Sequence, residues 1–162
     1  MTKNRKIVEG GCGCGAVRYR LLAEPIFTNN CFCRLCQRQT GTASAVNAFI
    51  ETGLVEHLAG ELTAHEMLTG GGGVQTVFRC KLCGTPTWSH YPRLGSAGAA
   101  IRVGTLDDPS AVTPDAAIFV SERSRWAALP DGVPAFEGTY RPADLLPPDR
   151  LGRLEALLPS PA

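Results

Sequence analysis

The chain has 162 residues with a formal net charge of +1, 44% hydrophobic and 19% charged residues, a composition that suits one globular domain around a single core. Its apolar runs are only a few residues long, short of the roughly 20 a membrane span needs. Its scattered Lys and Arg offer no field for a polyanion, so neither membrane nor nucleic acid is an expected partner. The basic start, Met1 to Lys6, leads into Ile7-Val8-Glu9-Gly10-Gly11 rather than an apolar stretch and a cleavage site, so a cytoplasmic protein without a signal peptide is expected.

Eighteen Gly and twelve Pro cut long helices short and suit short strands joined by turns. Val17-Arg18-Tyr19-Arg20 alternates in and out and reads as a half-buried strand. Cys33 to Thr40 reads as a short helix. Ala43 to Ile50, Leu54 to Leu58 and Leu62 to Met67 follow as strand candidates, and Val74 to Phe78 and Ala99 to Val103 again alternate as half-buried strands. Ala117 to Val120 is a further strand, and Asp149 to Leu158 a second short helix. The fold is therefore expected to be mostly β. From Tyr140 onward Pro142, Pro147, Pro148, Pro159 and Pro161 make a poor core candidate, expected to wrap the surface or fray.

Seven cysteines fall into three tight groups: Cys12 with Cys14, then Cys31, Cys33 and Cys36, then Cys80 with Cys83. Small buried hydrophobes would not need to sit one and two residues apart. A disulfide framework fits worse, because the count is odd and cytosolic thiols stay reduced. Zinc explains the spacing: two sulfurs from one tight turn reach a single ion about 2.3 Å away, and two such turns complete a tetrahedron. Cys12-Gly13-Cys14-Gly15 and Cys80-Lys81-Leu82-Cys83-Gly84 are turns of this kind, each ending in a Gly that supplies positive φ. Cys12, Cys14, Cys80 and Cys83 together close a four-thiolate shell, which implies a structural ion. Cys31, Cys33 and Cys36 offer three sulfurs. A three-ligand zinc leaves a position for water or substrate; a second structural zinc closed by a histidine or carboxylate from elsewhere, or a redox pair at Cys33 and Cys36, is the competing reading. Cys33 and Cys36 fall at a helix N-terminus, which favours thiolate.

Gly11 to Tyr19, Cys31 to Gly41 and Phe78 to Thr85 resemble, in order, the signature blocks of the glutathione-dependent formaldehyde-activating enzyme family, which includes centromere protein V-like proteins. Gly104 to Pro109, Ile118-Phe119-Val120, Trp126 and Asp131 to Phe136 agree with it. The resemblance runs from about residue 7 to residue 140, so residues 1–140 are expected to form a zinc domain of that kind and 141–162 a Pro-rich tail. It implies a β-tent-like fold of small antiparallel sheets held by zinc with few short helices, and two zinc sites per chain. Cys12, Cys14, Cys80 and Cys83 would hold the structural ion, and Cys31, Cys33 and Cys36 the catalytic one. The implied reaction joins glutathione to formaldehyde as S-(hydroxymethyl)glutathione, a carbon-sulfur lyase reaction run in reverse. Phe32 stands where family members often have His, which implies a less polar surrounding for the second ion.

An open zinc could bind the thiol as thiolate or polarise the aldehyde oxygen. Three thiolates leave the centre at net −1, and Arg34 and Arg38 are candidate cations to offset it or to meet a glutathione carboxylate, solvated surface charge being the plainer reading. Gly70-Gly71-Gly72-Gly73 reads as a hairpin tip that could serve as a flap, not as a phosphate cradle, since no Lys-Ser/Thr follows. Asp107-Asp108-Pro109 reads as turn chemistry rather than paired acids. His57 and His65 read as strand residues, and only His90 is a candidate for the neighbourhood of a site. Trp126 reads as a core or interface aromatic. The leading function is a zinc enzyme acting on a thiol and a small aldehyde. The alternative is a non-catalytic zinc module that binds a protein partner. Exposed strand edges make a homodimer plausible.

Overall fold

The computed structural model describes residues 7–69 and 72–159. Strands β1 (Val8–Gly11) and β2 (Arg18–Leu21) pair antiparallel around the turn that carries Cys12 and Cys14. The main chain can approach so closely at Gly10 because it lacks a Cβ, which would lie 2.6 Å from the Tyr19 hydroxyl. After β3 (Phe27–Cys31), helix α1 (Arg34–Thr40) and β4 (Ala45–Glu51), β5 (Val55–Ala59) joins β2 to complete a three-stranded antiparallel sheet.

A second sheet has seven strands. Its members β6 (Leu62–Leu68), β7 (Val74–Cys80), β8 (Pro86–His90), β9 (Gly98–Arg102) and β10 (Ala116–Ile118) join β3 and β4 in the order β10-β3-β4-β9-β8-β7-β6. All neighbours are antiparallel except β10 with β3, where Ala116 lies opposite Asn29. The architecture is mostly β as expected, but one sheet is large and mixed where small antiparallel sheets were anticipated. Helix α2 (Pro148–Leu157) follows the strands. No helix among the described residues is long and apolar enough to cross a membrane.

The main core lies between the two sheets. Tyr19 and Leu21 from β2 meet Ala48, Ile50, Trp88, Ala99 and Ile101 from the larger sheet, with the Tyr19 ring edge-on to Trp88 at 5.5 Å. These residues recur every second position, so one face of the larger sheet is apolar. The alternate positions, Asn47 and Phe49 of β4 and Arg102 of β9, stand on the other face, where Asn29 lies opposite Asn47 and Asn47 opposite Arg102.

Three expectations change here. All five residues of β9 are buried, not alternately exposed, because both of its faces are covered. The Pro-rich tail wraps the surface but is anchored in the core: Leu146 and Leu154 are buried with Ile26 and Leu94, and Arg153 grips the Glu51 carboxylate through Nε at 2.8 Å and Nη2 at 2.6 Å. The strand anticipated over Ala117 to Val120 stops at Ile118, because Phe119 adopts left-handed backbone with φ 54°.

Candidate metal centres

The β1–β2 turn and the β7–β8 turn come together at the edge of the molecule. Cys12 Sγ and Cys14 Sγ are 3.4 Å apart, Cys14 and Cys80 3.8 Å, and the sulfurs of Cys12, Cys14, Cys80 and Cys83 all lie within 4.8 Å of one another. All seven cysteines are free thiols. Gly15 and Gly84 have φ of 80° and 75°, the left-handed backbone that lets each turn curl back. The Val17 N–H donates to Cys12 Sγ at 3.2 Å. Thr85 ties the two turns together, accepting from the Gly13 N–H at 3.2 Å while its hydroxyl lies 3.1 Å from Cys83 Sγ. That hydroxyl, with the Thr85 and Cys14 N–H groups, draws the Cys83 thiol down to about 5. Cys14 is pushed up to about 11: the Ala16 N–H favours its thiolate, but crowding by Cys12 and Cys83 outweighs it. Four sulfurs this close repel one another once ionised. A divalent cation is what allows all four to be thiolates, and an all-sulfur donor set fits zinc.

The second cluster is built from one segment. Cys31 ends β3, Cys33 caps α1 with its sulfur accepting from the Cys36 N–H at 3.4 Å, and Cys36 lies in the first turn. The helix closes at Gly41, whose left-handed backbone returns its N–H to Gln37 O at 2.8 Å. The three sulfurs lie within 4.8 Å of one another, Cys31 and Cys36 buried and Cys33 half-buried. Among the described residues, neither group of possible ligands includes a histidine or a carboxylate. Contact with Cys31 and Cys33, helped by the charge of Arg102, draws the Cys36 thiol down to about 3, while Cys31 is pushed up by its contacts with Cys33 and Cys36 and by burial. Such a set shares its protons unequally until a cation takes their place.

The triad opens on a cavity of about 720 Å³. Asn29, Asn47 and Tyr91 line it beside the cysteines, Phe49, Ile118 and Phe119 supply apolar wall, and the exposed Arg34 and Arg93 complete the rim. Thr69 and Gly73, on either side of the hairpin tip, also line it, with Thr69 N–H donating to Gly73 O at 2.7 Å. Gly70 and Gly71 of the anticipated tip lie outside the described residues. Glu122 also lines the cavity, its carboxylate accepting from the Arg34 N–H at 2.6 Å at the start of α1.

Every cysteine lies in the group its spacing suggests, but of the other expected side chains only Arg34 joins a site. Phe32 is 1% exposed and packs with Ala117 and Ala127, away from the cavity lining. Arg34 lines the cavity with its guanidinium on Gln37, whereas Arg38 is exposed outside it. His90 packs edge-on to Phe78 at 5.0 Å and belongs to neither cysteine group. Trp126 is 78% exposed and is therefore not a core residue. Asp107 pairs with Arg18, its oxygens 2.8 and 2.5 Å from the guanidinium, and Asp108 accepts from the Ser110 N–H at 3.0 Å, as turn chemistry requires.

Asn47, Tyr91 and Arg102 were not legible as site residues. Arg102 stands at a position that strand alternation assigns to solvent, yet it is 4% exposed and donates to Asn47 Oδ1 and Gln39 Oε1. The pairing of β4 with β9 brings it there, and no local pattern encodes that register.

Fold and site together define a mostly β protein with two cysteine clusters suited to metal. Over residues 7–122 the chain matches the family described as glutathione-dependent formaldehyde-activating enzyme, and it belongs to that family. A crystal structure of a Rhodobacter sphaeroides protein is similar at 24% identity and a TM-score of 0.48, covering 65% of this chain and 91% of that one. A comparison with curated proteins finds no match.

Proposed function

We propose that the chain is a zinc-dependent enzyme of the carbon-sulfur lyase type that joins a thiol to a small aldehyde, with glutathione and formaldehyde as the substrates its family indicates. The observation that carries this reading is a cluster of three free thiols opening on a cavity of about 720 Å³, separate from the four-cysteine group. Cys12, Cys14, Cys80 and Cys83 would hold a structural zinc, and Cys31, Cys33 and Cys36 a catalytic one. When bound at the triad, zinc supplies positive charge that stabilises either a thiolate sulfur or the oxygen of the aldehyde.

The chain's own residues bind and orient. Arg34 and Arg93 at the rim suit the carboxylates of a tripeptide thiol. Asn29, whose oxygen accepts from the Tyr140 hydroxyl, offers its amide nitrogen to polar groups deeper in the cavity, and Phe49, Ile118 and Phe119 exclude water from the reacting carbon. In the addition the sulfur-carbon bond forms as the carbonyl π pair moves to oxygen, and the thiol proton is given up while that oxygen gains one. Tyr91 retains its phenolic proton, because burial pushes it up and the cysteines reinforce this, so it is a candidate donor to the new hydroxyl.

The test is exchange spectroscopy of formaldehyde and glutathione with and without metal-loaded protein at catalytic concentration. Faster exchange between free aldehyde and thiol adduct, returned to the spontaneous rate by Cys33→Ser, is the expected result. A protein that holds two ions yet leaves the exchange rate untouched sinks the reaction and favours a non-catalytic, partner-binding module.

A further inference from the structure

Arg102 is 4% exposed, so a full positive charge is enclosed in the protein. An enclosed charge is costly unless an opposite charge accompanies it. None of the ion pairs among the described residues involves Arg102. Its hydrogen bonds go to two neutral amide oxygens, Asn47 Oδ1 and Gln39 Oε1, and its Nε has no partner. Neutral amides orient a guanidinium but do not balance it.

The amides point to what does. Asn47 lies directly across the sheet from Arg102, and its Nδ2 is 3.9 Å from Cys36 Sγ. One amide thus accepts from the cation and turns its donor toward a sulfur of the triad. Gln39, the other partner, belongs to α1, the helix that carries Cys36. Three thiolates around a divalent ion sum to −1, and Arg102 brings the assembly to zero.

We infer that Arg102 is the counter-charge of a divalent three-thiolate metal centre at Cys31, Cys33 and Cys36, and that through Asn47 it holds Cys36 in place. The inference rests on reading the triad as a metal site. Arg102 is a positioning residue, since it acts through Asn47 and Gln39. A neutral fourth ligand leaves the enclosed charges balanced, whereas an added thiolate does not, so an incoming thiol would rely on cations at the cavity rim.

The test compares Zn²⁺ withdrawal by a graded chelator and the Co²⁺ absorption spectrum in the full-length, metal-loaded chain and three variants. Arg102→Met removes the charge and Arg102→Lys restores it without the planar fork. Gln39→Glu gives Arg102 a competing carboxylate, and Gln39 is not among the residues lining the triad's cavity. Arg102→Met and Gln39→Glu are expected to weaken the triad ion by about 10–100-fold, the usual range for outer partners of a metal site, with the four-cysteine ion retained. Arg102→Lys should recover most of the loss. If Arg102 merely supported the fold, Gln39→Glu would strengthen the chain and leave both ions bound as before. Wild-type affinity for the second ion in Gln39→Glu, or loss of both ions together, overturns the inference, and this variant decides the matter even if Arg102→Met fails to fold. A wild-type chain that takes up one ion only would instead remove the metal reading of the triad.

Discussion

Phe32 sits between Cys31 and Cys33 in sequence but faces away from them in space. Its N–H donates to Ile118 O at 3.0 Å, extending the pairing of β3 with β10, and its ring enters the small apolar cluster of Ala117 and Ala127. Extended backbone alternates its side chains, so two cysteines spaced by one residue share a face that the residue between them cannot reach. A histidine there would not meet the triad. Phe32→His is expected to lower stability by about 2–4 kcal/mol, because an imidazole loses its polar partners among alanines and leaves part of the ring's volume unfilled. Denaturant unfolding of the metal-loaded variant reads the loss, and metal content should stay at the wild-type value. A stable variant with altered metal affinity would show that position 32 does face the centre. The cysteine groups were legible because their pairs lie within single turns, and in the four-cysteine group carry their glycines with them. Arg102 and Asn47 were not, because their meaning lies in a cross-strand pairing.

Helix α2 shows what one element adds beyond its own propensity. It begins with Pro148, whose fixed φ suits a first turn, and its stability comes from Leu154 in the apolar cluster and from Arg153 on Glu51. Burial alone would raise the Glu51 carboxyl, but the paired hydrogen bonds and charge of Arg153 hold it below the usual carboxylate range. A carboxyl lowered on folding stabilises the folded state fully above its unfolded value of about 4.3 and loses that contribution as pH falls through the folded value. Arg153→Met is therefore expected to cost about 1–2 kcal/mol near pH 7, with the deficit shrinking below about pH 4. Thermal midpoints of both proteins across that range check it, since metal loss in acid affects both alike; a deficit unchanged by pH would assign the effect to packing. Strands with clean alternation were legible within a residue or two. β3 was hidden because Asn29-Asn30 reads as turn chemistry, β8 because it opens with Pro86, and β1 because Gly10-Gly11 carry no side chains to alternate. The buried Leu146 and Leu154 of the tail were missed because its prolines are more conspicuous than its few leucines.

At the scale of the molecule, the two cysteine groups do different mechanical work. The triad is contributed by β3 and α1, neighbours in sequence already held by the sheet and by the Cys33 cap. The four-cysteine group joins the turn of the three-stranded sheet to a turn of the seven-stranded sheet, 66 residues apart between Cys14 and Cys80. The grouping of these four cysteines was legible in their spacing, while the strand order around it was not, because a mixed sheet assembled from distant segments leaves no periodic trace. Zinc bound by four thiolates contributes on the order of 10 kcal/mol to folding, comparable with the whole stability of a domain this size. Stepwise chelation should accordingly have two stages. The three-donor ion leaves first with the far-ultraviolet circular dichroism and the dispersed amide spectrum retained, and withdrawal of the second ion collapses both. Cys83→Ser should reproduce the collapsed state, and Cys33→Ser the intermediate one. Unfolding at the first loss, or a metal-free chain that keeps its dispersed spectrum, would mean that the sheets are held by the Tyr19–Trp88 core alone.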